Sequence, residues 1–138
     1  VCATFDVDSV QTLFVPKDAK GLKKLIFLAL GKKSLVPALW FSKLYNEVYK
    51  KNIDDKKRLI NTLIENLEEY SSHNYEIAIP TLILWGSNDN VIPANRGLML
   101  KNHIGDNAEY HLIEGGAHMP NLTNSKEFNK ILSDFLKA

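Results

Sequence analysis

Apolar residues recur along this chain with two different periods, and the change falls near Ile77. Before it, the spacing is helical. Val1 to Val7 opens like the tail of a buried strand, and Asp8 or Ser9 can cap a short turn carrying Val10, Leu13 and Phe14. Pro16 ends that turn. Asp18 caps a segment running to Leu30, with Gly31 as its stop signal. Leu22, Leu25, Ile26, Phe27, Leu28 and Leu30 cover most of its circumference, which predicts burial or an apolar neighbour. Ser34 and Pro37 open the next helix, where Trp40, Phe41, Leu44, Tyr45 and Val48 recur before Lys50, Lys51 and Asn52 close it. Asp54 and Asp55 start another, favourably placed at the positive end of its dipole. Its stripe is Leu59, Ile60, Leu63, Ile64, Leu67 and Tyr70, and residues 71–74 are loop.

After Ile77 the residues become β-branched and aromatic. Thr81 to Trp85 is too short for a helix and is bounded by Pro80 and Gly86, which predicts a strand. Pro93 suits the first turn of a helix ending near Gly105, and Tyr110 to Ile113 is a second strand. From Glu127 the apolar residues Phe128, Ile131, Leu132, Phe135 and Leu136 mark a closing helix. The order strand–helix–strand–helix implies parallel strands joined by a right-handed crossover, an α/β class of fold. Two strands and a stub make a poor parallel sheet, so more strands are expected from outside this sequence or from a second copy. An unpaired apolar edge at Thr81–Trp85 further predicts self-association. The expected division is a strand remnant over 1–7, a helical region over 8–75 and an α/β part over 76–138.

Composition narrows the function classes. The 138 residues are 45% hydrophobic and 24% charged, ordinary for a globular chain. A net charge of +1 supplies no field suited to nucleic acid or a membrane surface, and neither is expected as a partner. No apolar run approaches the roughly 18 residues that span a bilayer. Cys2 is the single cysteine, which excludes an internal disulfide and fits a reducing, cytoplasmic setting. His73, His103 and His111 lack metal-ligand spacing and the lone cysteine cannot complete a zinc site, so no metal or other cofactor is expected.

The candidate chemistry sits where the two strands end. Asp89 follows Gly86, Ser87 and Asn88; His118 follows Gly115, Gly116 and Ala117. Taken singly, Asp89 reads as a turn residue and His118 as a polar surface residue. Taken together they are an acid and an imidazole released at the same end of neighbouring parallel strands, where open α/β sheets place their sites. A histidine shuttles protons near neutrality, and a carboxylate fixes its tautomer. Val91 and Met119, each close to one of the pair, are taken as substrate-lining. No serine satisfies the small-residue spacing of a nucleophile elbow: Ser34, Ser42 and Ser87 all have bulky or charged residues two positions away. No phosphate-binding glycine loop is present either.

The phrase Ile79–Pro93, with its Trp85-Gly86 and Asp89, and the phrase Gly115–Leu122 around His118 resemble the C-terminal half of α/β-hydrolase fold enzymes. Residues 77 to 138 are similar throughout; residues 8 to 74 match only in kind, as the helical cap that the family inserts before its last strands. The resemblance implies a hydrolase in which Asp89 orients His118, and His118 deprotonates a serine and later activates water. It also implies that the nucleophile-bearing half lies outside this sequence, and that the 138 residues alone are an inactive fragment. The expected substrate is a small apolar carboxylic ester or related acyl compound. Epoxide hydrolases and haloalkane dehalogenases share the architecture with an aspartate nucleophile, and carbon–carbon bond hydrolases share the serine. From other classes, the alternatives are a non-catalytic binding or regulatory module on the same scaffold and a phosphoryl-accepting Asp89. The latter predicts further acids beside it, where Asn88 and Asn90 stand.

Overall fold

A computed structural model describes residues 13–31, 37–72 and 76–137; the expected opening strand and the residues Asp8, Ser9 and Ser34 lie outside these. The described residues belong to two compact units, one holding residues 13–26 and 37–72, the other 27–31 and 76–137.

The first unit is helical. α1 spans Ala19–Leu30, its last turn belonging to the second unit. Asp18 caps it through a 2.7 Å bond from the Gly21 amide to its carboxylate, and Gly31 ends it at φ +60°. Leu22 is the buried residue of α1 and its other apolar side chains are partly exposed, so of burial or an apolar neighbour, burial is met only at Leu22. α2 spans Ala38–Leu44, with Pro37 just before its first residue. It passes without a loop through a π-turn at Tyr45–Tyr49 and a 3-10 turn at Lys50–Asn52 into α3, Ile53–Glu65. Lys50, Lys51 and Asn52 therefore tighten the helix rather than end it. α4, Leu67–Ser72, follows a break at Asn66, so Ser71 and Ser72 close a helix instead of starting a loop.

Two adjacent rows of apolar residues behave differently here. Phe41, Tyr45 and Tyr49 point inward, with Phe41 only 2% exposed. The tyrosine hydroxyls donate to the carbonyls of Lys17 and Phe14 at 2.5 and 2.6 Å, anchoring residues 14–17. Lys56 caps the ring of Tyr49 at 4.4 Å. The neighbouring row, Trp40, Leu44 and Val48, is exposed, as are Leu59, Leu63, Leu67 and Tyr70 on α3 and α4. Among the described residues, the apolar face of these helices is therefore covered along one edge only.

The second unit carries the sheet. β1 (Thr81–Gly86) and β2 (Ala108–Ile113) run parallel, with Thr81 opposite Ala108 and Gly86 opposite Ile113. β2 begins two residues earlier than Tyr110. α5, Asn95–Ile104, connects them through a 3-10 turn at Gly105–Asn107. It lies so close to the sheet that a Cβ on Gly97 would meet the rings of Trp85 and Tyr110 at 2.5 and 2.8 Å. Beyond β2, a short helix α6 (Pro120–Thr123) precedes the closing helix α7 (Ser125–Phe135), and Ile83, Ala108, Ile113 and Ala117 form the core. No helix among the described residues is long and apolar enough to cross a membrane.

Candidate functional site

Both loops at the C-terminal ends of β1 and β2 are built by backbone constraint. Gly86 ends β1 where any Cβ would lie 2.2 Å from the Ala117 carbonyl oxygen and 2.3 Å from that of Gly116. Only glycine lets the two loops approach this closely. Once together, they are stitched by three bonds. The Ser87 amide donates to the Ile113 carbonyl at 3.0 Å, the Asn88 amide to that of Gly116 at 2.8 Å, and the Gly115 amide to the Ser87 hydroxyl oxygen at 2.8 Å.

Asp89 lies at the centre of this arrangement, its side chain only 3% exposed. Oδ1 accepts the Val91 and Ile92 amides, both at 2.8 Å. That leaves Oδ2 to accept a 2.9 Å bond from Nδ1 of His118. The carboxylate is thus oriented by its own loop before it meets the imidazole. The loop is held in turn by the Trp85 indole, which donates to the Ile92 carbonyl at 3.0 Å, and by the Tyr110 hydroxyl, which donates to that of Ala94 at 3.2 Å. Among the described residues, no buried side-chain nitrogen or oxygen lacks a partner.

His118 follows the buried Ala117 and is held from both sides. The Met119 amide donates to the Ala29 carbonyl in the last turn of α1 at 3.2 Å. The Thr123 hydroxyl donates to the Met119 carbonyl at 3.3 Å and accepts a long 3.5 Å bond from the Ala117 amide. With Nδ1 committed to Asp89, neutral His118 carries its lone pair on Nε2. No described residue hydrogen-bonds to Nε2, and the side chain is 31% exposed. The imidazole therefore presents a basic nitrogen outward with its tautomer fixed from behind, the arrangement a proton shuttle needs.

Of the other predicted residues, Val91 is half-buried and serves Asp89 through its amide, and Met119 is 37% exposed beside His118. A shallow depression of about 330 Å³ lies alongside, lined by Gly31, Ser87, Asn88, Asn90 and Thr123 together with Asp89. Sequence reasoning weighed Ser87 only as a nucleophile and did not single out Thr123. Their hydroxyls instead accept amides of the histidine loop, Ser87 from Gly115 and Thr123 from Ala117. His111 pairs loosely with Glu109 on the exposed side of β2, 3.5 Å away. No group of His, Cys, Asp and Glu among the described residues could hold a metal ion.

Parallel strands that release a buried carboxylate and a half-exposed imidazole into contact define an α/β protein with an acid–histidine pair at one end of its sheet. Sequence comparison carries this further. The chain is 31% identical over 137 residues to a 2-hydroxy-6-oxononadienedioate/2-hydroxy-6-oxononatrienedioate hydrolase of Cupriavidus pinatubonensis, covering 96% of this chain and 46% of that protein. It is 28% identical to hydrolase 2 of the same name from Pseudomonas putida, covering 90% of this chain and 49% of that one. With the enzyme of Paraburkholderia xenovorans the identity is 26%, over 96% and 46%. No family model matches. The chain is similar to these hydrolases along nearly all of its own length, its architecture matches part of an α/β-hydrolase fold, and it spans about half the length of the curated relatives it matches.

Proposed function

We infer that residues 76–137 supply the acid and the general base of a hydrolase that cleaves a small acyl compound at a carbonyl carbon. The 2.9 Å bond between His118 Nδ1 and Asp89 Oδ2 carries this reading, because it leaves Nε2 as the basic nitrogen of that ring. In the whole protein, Nε2 takes the proton of a serine hydroxyl and the freed oxygen adds to the carbonyl. Asp89 stabilises the imidazolium without itself accepting the proton. The imidazolium then protonates the leaving group, and His118 deprotonates the water that releases the acyl group.

The names of the relatives favour one substrate kind over the apolar ester expected from sequence. A 2-hydroxy-6-oxo nonadienedioate has a ketone, a conjugated enol and two carboxylates, and no ester. Its ketone carbon is the electrophile. The enol first shifts its hydroxyl proton to C5, giving the 2-keto tautomer. After the serine oxygen has added to the C6 ketone carbon the C5–C6 bond breaks, its electron pair delocalises onto the C2 carbonyl as a dienolate, and that fragment takes the proton from His118.

The test uses the full-length protein with such a dienedioate and with a p-nitrophenyl ester. Loss of the dienol absorbance at a rate exceeding ester cleavage is the expected result. D89N lowers kcat by about 10⁴-fold through loss of the correct tautomer, and H118A lowers it at least as far. An H118A rate equal to wild type would remove the catalytic assignment. Ester cleavage without dienedioate cleavage would return the substrate to the ester class.

A further inference from the structure

We propose that the Ser87 hydroxyl is a positioning residue for His118, a strut between the acid loop and the histidine loop; this rests on the reading of Asp89 and His118 as acid and base. The loop carrying His118 begins with two glycines, the residues with the most conformational freedom to lose. Gly115 sits at φ +68°, with nothing within 4 Å of where a Cβ would be, so packing does not hold it. Gly116 is held twice, through its amide to the Ile113 carbonyl at 3.0 Å and through its own carbonyl, which accepts the Asn88 amide at 2.8 Å.

Gly115 is held through its amide by Ser87 Oγ at 2.8 Å. Ser87 is itself fixed, since its amide donates to the Ile113 carbonyl. It also stands two residues before Asp89. One hydroxyl thus references the backbone of the histidine loop to the strand end that launches the carboxylate. The consequence concerns geometry: with the strut gone, Gly115 samples other conformations and the 2.9 Å Nδ1–Oδ2 bond is made for a smaller fraction of the time.

The test reads the pair directly, independently of turnover. Histidine labelled with ¹³C and ¹⁵N is incorporated into the full chain, and the strongly downfield Nδ1–H resonance of His118 is identified by its absence in D89N. In S87A that resonance moves upfield and broadens. S87T, which keeps the hydroxyl, restores its position and width. In N107A, which removes an unrelated 3.1 Å bond to the Ile77 carbonyl, the resonance is unchanged. On a turnover assay, S87A lowers kcat by about three- to tenfold with KM unaltered, the size of one lost hydrogen bond. An Nδ1–H resonance in S87A superimposable on wild type would overturn the proposal. So would a perturbation that S87T fails to repair, since the hydroxyl would then not be the group responsible. Neither result bears on whether His118 is the base, which H118A decides separately.

Discussion

The two units bury their apolar residues by different means. In the helical unit, neighbouring rows on one continuous helical stretch part company: Phe41 is 2% exposed and Trp40, the residue beside it, is 66% exposed. In the sheet-bearing unit the close contacts involve backbone. Gly86 faces carbonyl oxygens of Ala117 and Gly116, and Ile113 is wholly buried. A helix presents its apolar side chains as a wide stripe, and coverage along one edge suffices to hold it. Two loops meeting backbone to backbone have no such latitude. The candidate site lies where the latitude is least, as a 2.9 Å bond between side chains of separate loops requires.

This contrast can be broken at defined positions. The largest effect is expected for Gly86→Ala, whose methyl group would meet backbone atoms that cannot rotate away. A loss of about 4 kcal/mol is expected in urea unfolding, at the severe end of single substitutions. A fully folded, stable variant would show that the loops can part. Next comes Phe41→Ala at about 3 kcal/mol, against Trp40→Ala within about 0.5 kcal/mol. Equal losses for the two would mean that the outer row is covered in solution.

Gly97→Ala pushes on the rings of Trp85 and Tyr110, which can shift, so about 2 kcal/mol is expected in the same measurement. The smallest effect is in alkali. Burial, and secondarily the neighbouring Tyr45 phenol, hold the Tyr49 hydroxyl above its ordinary value of 10.0, and burial raises that of Tyr110. The unfolded chain releases these protons first. The stability contributed is therefore complete below the ordinary value and is lost as pH rises through the raised one. Thermal unfolding of Tyr49→Phe should show a shallower fall in Tm above pH about 10 than the wild type.

The candidate pair was legible in sequence because it rests on local punctuation. Gly86 and the paired glycines end apolar runs, and a polar residue follows each within three positions. The caps at Asp18 and Gly31 were legible for the same reason. The π-turn at Tyr45–Tyr49 was not, since its α-like spacing conceals one wider turn. Nor was the short helix at Pro120–Thr123, which has too few residues to show a period. The exposure of Leu59 and Leu63 was hidden too, because periodicity says which residues share a face and is silent on what covers it.

By itself, then, the sequence determined the strand–helix–strand–helix plan after Ile77, the parallel pairing of the strands read at Thr81–Trp85 and Tyr110–Ile113, and the acid and imidazole beyond their ends. Each follows from local propensity or from the few ways a strand–helix–strand unit can close. Tertiary structure alone decided which carboxylate oxygen meets which ring nitrogen, and gave Ser87 its role between the loops. These depend on distances between residues far apart in the chain, set by how nearly two backbones can touch.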